Sequence, residues 1–405
     1  MKVALKRVRV EGYDIEDVSK SLAELFRMLG YDRKNPLGHI VKPNDTVFIK
    51  PNWVAHEYRK SCDFDGKGDV YSVITHPSVI RGVVKYVAKA LDGRGEIIIG
   101  DNPSIDADFS KLMDLVKLDD LEKMTDIKCR IIDLRPLVCT DLKDYGKKSK
   151  MKKQPGDHLG FTTVNLGKRS LFYNVTPLLY RGVFNSRWET VLHHFGRRHD
   201  YSFSNSIINA DAYISIPKLK THRKVGATLN IKGLVGTNSV KNYLVHWRVG
   251  FPMMGGDEYP DFISWLRSKR QKVTHRGAWH GNDTAWRMAV DIYNAFIERV
   301  GKTFTVIDGI VAGEKNGPFC PQKRRANILI ASEDLLTADC AAARLMDFDI
   351  GKIKYLDHLI NQGKIALKDI EVISEDFETE DFFGGSNEYL RFMPPHGWEN
   401  IALHR

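Results

Sequence analysis

Apolar and polar residues alternate along the chain in short runs that predict strands followed by helices. Residues 46–49 (TVFI) form an apolar run that predicts a buried strand, and residues 96–102 (EIIIGDN) predict a second one. Between them, residues 77–91 carry apolar side chains at helical spacing behind Thr75-His76-Pro77, which is typical of a capped helix start. A strand, a helix and a strand in this order predict a parallel βαβ unit.

The same patterns continue to residue 346. They predict helices at residues 14–29, 111–125, 285–300 and 337–346, strands at 2–10, 130–133, 213–216, 303–307 and 326–331, and a hairpin at 161–174. The fold class is therefore α/β, with mostly parallel or mixed sheets, flanking helices, and two α/β halves around a central cleft. We predict an N-terminal half at 1–142, a lysine-rich insertion and hairpin at 143–205, a second half at 206–380 and a C-terminal tail at 381–405.

The richest stretch of candidate binding groups is residues 210–238. Pro217 ends the predicted strand 213–216, and Lys218, Lys220 and His222 then share one face if the chain stays extended. Leu219 would point to the other face, into the sheet. Open α/β sheets bind ligands at the carboxyl ends of their strands, although a solvated basic loop is the alternative for this composition.

Chemically useful side chains also follow the other predicted strands. Lys50 and Asn52 follow residues 46–49, Asp101 ends residues 96–102, and Asp308 follows residues 303–307. Two turn-rich loops add further candidates, for which a structural tether or a helix cap is the alternative. These candidates are His246, Arg248 and Asp257 in the first loop and Asn282 and Asp283 in the second.

Composition limits the class of protein. The chain has 405 residues, and its 61 Lys and Arg against 51 Asp and Glu give a net charge of +10, which favours anionic partners. No basic, aromatic-interleaved motif is present, so nucleic acid is not the expected partner. Five separated cysteines predict neither a disulfide framework nor a zinc site, and no run of 18 apolar residues occurs, so we expect a cytoplasmic protein without membrane contact.

Eight sequence strings together resemble one known family. They are IKPNW, THPSVIRGVV, IIIGDNP, IPKLKTHRKVGATLNIKGLVG, HWRVGFPMMGGDEYP, WHGNDTAWR, VIDGIVAGEKNGP and ASEDLLTADCAAARLM. This combination resembles the domain-of-unknown-function family 362 over roughly residues 40–375. The resemblance implies an α/β fold with a single composite site and no assigned chemistry. Many relatives carry ferredoxin-like cysteine runs, which are absent from this sequence, so no iron–sulfur cluster is expected.

The resemblance implies that the groups at strand ends form one site. We expect His222, Lys220 and Asp308 to be catalytic, with lysines near His222 lowering its pKa so that a neutral imidazole accepts a proton. Oxygen-rich ligands favour magnesium or manganese at Asp101, Asp308 and Glu314, although salt bridges to lysines are the alternative. The expected substrate-binding residues are Lys50, Asn52, His76, Lys218, Lys232, His246, Arg248, Asp257, Asn282, Asp283 and Asn316. The chain is thus expected to be an enzyme for a small phosphorylated or carboxylated metabolite; the alternative is a binding protein for an anionic polymer.

Overall fold

A mostly parallel β-sheet flanked by helices organises the chain. The computed structural model describes residues 1–8, 12–59, 68–141, 150–182, 187–271 and 276–404. Its strands are β1 (Lys2–Arg7), β2 (Thr46–Pro51), β3 (Glu96–Asp101), β4 (Lys128–Asp133), β5 (Leu137–Cys139), β6 (Met151–Lys153), β7 (Phe161–Asn165), β8 (Tyr180–Arg181), β9 (Asp200–Ser204), β10 (Ala212–Ile216), β11 (Lys218–His222), β12 (Gly226–Ala227), β13 (Trp247–Arg248), β14 (Lys302–Glu314), β15 (Gln322–Ser332) and β16 (Glu371–Ser374).

Helices cover the sheet and fill the connections. They are α1 (Ile15–Met28), α2 (Pro77–Leu91), α3 (Phe109–Val116), α4 (Leu121–Thr125), α5 (Trp188–Leu192), α6 (Asn205–Ile208), α7 (Leu229–Gly233), α8 (Phe262–Gln271), α9 (Ala285–Ile297), α10 (Leu335–Leu345) and α11 (Lys354–Asn361). Together with the sheet, they confirm the predicted α/β fold class.

Strands from both ends of the chain form one sheet in the order β16-β1-β15-β14-β10-β2-β3-β4, while β11 pairs with β14 and β12 pairs with β11. Strand β10 lies between β2 and β14 and is parallel to both. Strands β2 and β3 are parallel neighbours joined through α2, as the predicted βαβ unit requires. The carboxyl ends of β2, β3 and β10 therefore meet at one edge.

Each face of the sheet carries its own apolar core, because successive side chains of a strand point to opposite faces. In β10, Ile214 and Ile216 belong to one core and Tyr213 to the other. Leu219 of β11 is completely buried in the second core, on the side of Tyr213. The prediction that Leu219 points into the sheet is confirmed.

Small antiparallel ladders lie outside the main sheet. Strand β5 pairs with β6, β7 with β9, and β8 with β13. The pairing of β7 with β9 corrects the predicted hairpin at 161–174, since the partner strand comes 35 residues after β7 ends, beyond two short 3-10 turns and α5. The alternation predicts strand β7 correctly, but its partner lies far along the chain, where no local pattern indicates it. The four predicted segments of the chain stay predictions.

Local backbone geometry corrects one further expectation and meets the condition attached to another. The helix predicted at 111–125 is two helices, α3 and α4, because Lys117 adopts a left-handed conformation with φ of 46° and ends α3. Pro217 ends the pairing of β10 as predicted, but the chain continues extended as β11 and pairs with β14. Lys218 is in register with Asp308 there, and Lys220 with Gly313.

The structure also bears on the predictions made from the cysteines and from the lack of a long apolar run. Cys320 is disulfide-bonded, which the spacing of the cysteines did not predict, whereas Cys129 and Cys340 are free thiols. Within the described ranges, no helix is both long enough and apolar enough to cross a membrane.

Candidate functional site

An ion pair joins the ends of two neighbouring parallel strands. The Nζ of Lys50 lies 2.7 Å from Oδ1 of Asp101, and both side chains are almost completely buried. The other carboxylate oxygen, Oδ2, accepts the backbone N–H of Trp53 at 2.6 Å. A Cβ on Gly236 would lie 2.6 Å from the Asp101 oxygen and 2.9 Å from the Lys50 nitrogen, so the turn after α7 contacts this pair directly. A side chain at position 236 would therefore have to displace the ends of the Lys50 and Asp101 side chains.

Lys220 lies beside this pair and has no exposed surface. Its Nζ donates to the carbonyl oxygen of Val73 at 2.5 Å and that of Pro318 at 3.4 Å. Burial, followed by the charge of Lys218, lowers the pKa of Lys220 well below its ordinary value, and Lys232 and Lys50 add to this effect. An ammonium group held only by carbonyl oxygens leaves its positive charge uncompensated.

Three more lysines, from different elements, converge on the same place. Burial and then the charge of Lys232 lower the pKa of Lys224 to about 7, while burial and Lys50 lower that of Lys232 to about 8. Burial and then Arg135 lower the pKa of Lys241 to about 7, again with a contribution from Lys232. These long-range effects show that Lys232 lies at the centre of the group.

None of these three lysines has a carboxylate partner within the described part of the chain. The Nζ of Lys224 lies 4.5 Å from the centre of the Trp247 ring, and that of Lys241 donates to the carbonyl oxygen of Asn102 at 3.1 Å. Each of the three is partly exposed, although burial lowers its pKa. A Cβ on Gly233 would meet no atom within 4 Å. These three lysines are surrounded by protein, yet solvent reaches them and open space lies beside them. This combination indicates a cleft.

Two histidines complete the group, and their hydrogen bonds define opposite tautomers. Nδ1 of His222 accepts the backbone N–H of Lys224 at 3.1 Å, so a neutral His222 carries its proton on Nε2. Nδ1 of His246 lies 3.0 Å from the carbonyl oxygen of Leu244, which can only accept, so a neutral His246 has its lone pair on Nε2. Burial and nearby lysines lower the pKa of both rings well below the ordinary value. Both histidines are therefore neutral at pH 7.

We call these seven residues the lysine–histidine cluster: Lys50, Lys220, His222, Lys224, Lys232, Lys241 and His246. Its positive charges come from four separate parts of the chain, and among the residues that the structure describes they are opposed by one bonded carboxylate, that of Asp101. Closely spaced cations without counter-charges raise the free energy of the folded protein. Such an arrangement is expected where an anionic ligand supplies the missing charge.

Several predicted site residues lie outside the cluster in a structural network. Lys218 and Asp308 are completely buried, with Nζ 2.5 Å from Oδ2. Tyr13 donates to Asp308 at 2.8 Å and stacks on the ring of His76 at 3.6 Å. Nδ1 of His76 accepts the N–H of Ser78 at the start of α2, and burial lowers the pKa of His76 to about 4. In this structure the polar atoms of Lys218, His76 and Asp308 bind one another or cap a helix, and the substrate-binding and catalytic roles expected for them stay predictions.

The two turn-rich loops form a second network. Asp257 is buried and accepts the N–H groups of Arg248 at 2.6 Å and Asp283 at 2.9 Å. Asp283 is in turn bonded to Arg248 at 3.2 Å, and Asn282 accepts the first N–H groups of α9 through its side-chain oxygen. These contacts are those of a tether and a helix cap, the alternatives to substrate contact for these four residues, and their substrate-binding role stays a prediction.

The predicted metal ligands do not converge. Asp101 forms an ion pair with Lys50, and Asp308 forms one with Lys218. Glu314 forms an ion pair with Arg324 at 2.9 Å and accepts the N–H of Met393 at 3.0 Å. Nowhere in the described ranges do three His, Cys, Asp or Glu side chains group so as to hold a metal ion.

Asn52 and Asn316 lie at the margins of the predicted site. The buried side-chain oxygen of Asn52 has no hydrogen-bond partner among the described residues. The side-chain oxygen of Asn316 accepts the N–H of His396 at 3.4 Å, in the C-terminal tail. Asn316 therefore contacts the tail, whereas Asn52 follows Lys50 at the end of β2.

Sequence reasoning missed Lys224 and Lys241. Lys224 is part of the basic run that begins at Lys218, but the expected alternation of faces stopped at His222. Lys241 had no local signal, because only the fold brings it beside Asn102.

The chain was compared with known proteins. Residues 179–344 match the model of the family described as a domain of unknown function, DUF362, which confirms the resemblance seen in the sequence. A thylakoid-associated protein of Synechocystis sp. is 21% identical over 349 residues, covering 86% of this chain and 76% of that protein. The lactate racemase apoprotein of Thermoanaerobacterium thermosaccharolyticum covers 85% of this chain at 13% identity, with a TM-score of 0.36. The likeness spans 56% of that racemase and at this score assigns no activity.

Proposed function

We propose that this protein is an enzyme that binds a small metabolite with several negative charges, phosphorylated or carboxylated, in the lysine–histidine cluster. The observation that carries the proposal is that Lys220, Lys224, Lys232 and Lys241 lie together without a carboxylate partner among the described residues. A bound anion would supply the missing charge and raise the pKa of each lysine.

The two histidines support an enzyme rather than a passive binding site. A neutral His246 has a lone pair on Nε2 that can accept a proton, and a neutral His222 has an N–H at Nε2 that can donate a hydrogen bond. This reverses the expected role of His222 as the base, because the amide of Lys224 occupies the lone pair of its Nδ1. The reaction class we propose is removal of a proton by His246 from a carbon or hydroxyl group, with the lysines stabilising the developing negative charge.

Magnesium or manganese at Asp101, Asp308 and Glu314 does not fit this site. All three carboxylates are bonded to a basic side chain, and Asp308 and Glu314 lie outside the cluster. The proposed chemistry therefore rests on the lysines and the histidines of the cluster.

The test is a ligand screen by thermal shift. Wild type is incubated with pools of phosphorylated sugars, nucleotides and carboxylates, beside H222A, K232M and the exposed-lysine control K85M. A hit should raise the melting temperature of wild type and K85M, and should lose most of that effect in H222A and K232M. A ligand that stabilises all four proteins equally would contradict the proposal.

The alternative, a binding protein for an anionic polymer, makes a different prediction. Binding of a polymer across an open basic surface weakens steeply with salt, since each neutralised charge releases a counter-ion. Titration with a nucleic acid and with an acidic polysaccharide at rising salt would reveal this behaviour. A small ligand enclosed in a cleft should show a much smaller dependence on salt.

A further inference from the structure

Three polar side chains next to the lysine–histidine cluster have an oxygen without a hydrogen-bond partner among the described residues. These oxygens belong to Asn52, Asn102 and Thr228, which are 9%, 6% and 4% exposed. Buried polar groups in native proteins are nearly always paired, so each unpaired one needs a physical reason. Three of them around one cleft indicate a partner that comes from outside the chain.

Asn102 contacts two groups of the site directly. Its backbone N–H donates to Oδ1 of Asp101 at 2.8 Å, and its backbone carbonyl oxygen accepts Nζ of Lys241 at 3.1 Å. Its side-chain nitrogen donates to the carbonyl oxygen of Asn238 at 2.7 Å, which identifies the other side-chain atom as the oxygen. The unpaired atom of Asn102 is therefore an acceptor, and only a donor group satisfies it.

Asn52 and Thr228 are tied to other members of the cluster. Asn52 is bonded in sequence to Pro51, whose carbonyl oxygen accepts Nζ of Lys50 at 3.2 Å. Thr228 lies directly before α7, and its backbone N–H donates to the carbonyl oxygen of Lys220 at 2.9 Å. The three unpaired oxygens therefore come from three strand or helix ends that also supply the cations.

The charge of the cluster selects the kind of donor. A ligand ammonium group would be repelled by the lysines that surround it, whereas a hydroxyl group donates a hydrogen bond without carrying charge. It is also the smallest neutral donor of a metabolite, which suits side chains with so little exposed surface. The hydroxyl of Thr228 both donates and accepts, so it pairs with a ligand hydroxyl in either direction.

We propose that the ligand of the lysine–histidine cluster is a polyhydroxylated anion, a phosphorylated sugar or a sugar acid, whose hydroxyl groups bind Asn52, Asn102 and Thr228. The lysines hold the anionic group, and these three side chains distinguish hydroxylated anions from plain ones. The proposal rests on the anion-binding function proposed above and adds the class of ligand to it.

Two substitutions remove an unpaired oxygen and keep the shape of the side chain nearly unchanged. They are N52L and T228V, and neither removes a described side-chain hydrogen bond of the free protein. Both variants should therefore fold and melt at the wild-type temperature or above it. The matched control is N35L: the side-chain oxygen of Asn35 is also buried and unpaired, but it lies between α1 and β2, before the amino end of β2.

Calorimetry measures the binding of two pairs of ligands that match in charge and carbon number. The first pair is glycerol 3-phosphate and n-propyl phosphate, and the second is glucarate and adipate. Wild type and N35L should bind the hydroxylated member of one pair about tenfold more tightly than its partner. N52L and T228V should reduce this preference to about threefold or less and leave the affinity for the plain anion unchanged. The pair that shows the preference distinguishes a phosphorylated sugar from a sugar acid.

The outcomes separate this proposal from the function on which it rests. Equal binding of both members of each pair by wild type would overturn the assigned ligand class, as would no binding of any of the four ligands. A preference that N52L and T228V both retain, or that N35L also loses, would overturn it too. In each case, binding of the plain anions that K232M abolishes would leave the anion-binding function standing, whereas binding that K232M leaves unchanged would contradict that function itself. Circular dichroism shows that each variant is folded, and either N52L or T228V alone suffices for the test.

Discussion

Replacing Lys232 by methionine should make the unliganded protein more stable. Lys232 is the central charge of the lysine–histidine cluster, because it contributes to lowering the pKa of Lys220, Lys224, Lys241, His222 and His246. Its own pKa is lowered from 10.5 to about 8, so at pH 7 the folded protein carries the ammonium at a free-energy cost. Methionine keeps the length and the helix propensity of the side chain and removes that charge.

The magnitude follows from linkage between protonation and folding. Each pKa unit corresponds to about 1.4 kcal/mol, so a full difference from 10.5 to 8 would cost about 3 kcal/mol at pH 7. Solvent reaches part of the side chain and screens the charge, so we expect K232M to raise the free energy of unfolding by about 1–3 kcal/mol. Because the folded pKa is the lower one, the unfolded wild type binds more protons between pH 8 and 10.5, and its stability rises with pH there. The advantage of K232M should therefore shrink across this window.

Urea unfolding of wild type and K232M at pH 7 and at pH 10 measures both quantities. The matched control is K218M, which removes a buried lysine that has a carboxylate partner. It should destabilise the protein by about 3–5 kcal/mol, because Asp308 would remain buried and unpaired. If K232M destabilised the protein at pH 7 as K218M does, Lys232 would be a compensated structural charge and the reasoning about the cluster would be refuted.

The remaining predictions concern the cleft and the core. G236A should weaken anion binding and lower the free energy of unfolding, since its Cβ would lie 2.6 Å from Asp101 Oδ1. The control G233A places its Cβ in open space, so it should leave the free energy of unfolding unchanged or raise it by up to about 1 kcal/mol. Urea unfolding and calorimetry compare the two variants. Binding of inorganic pyrophosphate should weaken from pH 6 to pH 9, because Lys224 and Lys241, with pKa values of about 7, lose protons in this range. Calorimetry in two buffers should show that the protein takes up protons on binding. Binding that does not change with pH would contradict this prediction. L219A should lower the free energy of unfolding by about 2–5 kcal/mol in urea titration, and a loss under 1 kcal/mol would mean that the core tolerates the cavity.

The fold was largely predictable because its strands and helices carry strong local patterns. The limits of α2 follow from Pro77 at its first position and from Asp92, which adopts a left-handed conformation at its end. The parallel pairing of β2 with β3 follows from the intervening helix. By contrast, the pairing of β7 with β9 depends on side chains far apart in sequence, and no local pattern specifies it.

The site was predictable only in part, because a sequence shows which residues end a strand but not which partner each one finds. Asp308 and Asp101 look alike in sequence, each following an apolar strand. Asp308 binds a lysine in the interior with no exposed surface, whereas Asp101 binds Lys50 beside the cluster. A solvated basic loop was the alternative for the stretch that contains Lys220, yet Lys220 is completely buried. That burial gives the cluster its unusual electrostatics.

The most direct test of the central claim is to locate a bound oxyanion by crystallography. Crystals of wild type and K232M are soaked in sodium tungstate, a phosphate-like anion whose tungsten atom is identified by anomalous scattering. We predict a tungsten peak within hydrogen-bond reach of Lys224, Lys232 or Lys241 in wild type, and its loss in K232M. Tungstate bound only at other surfaces, or unchanged at the cluster in K232M, would contradict the claim that these lysines form an anion-binding site.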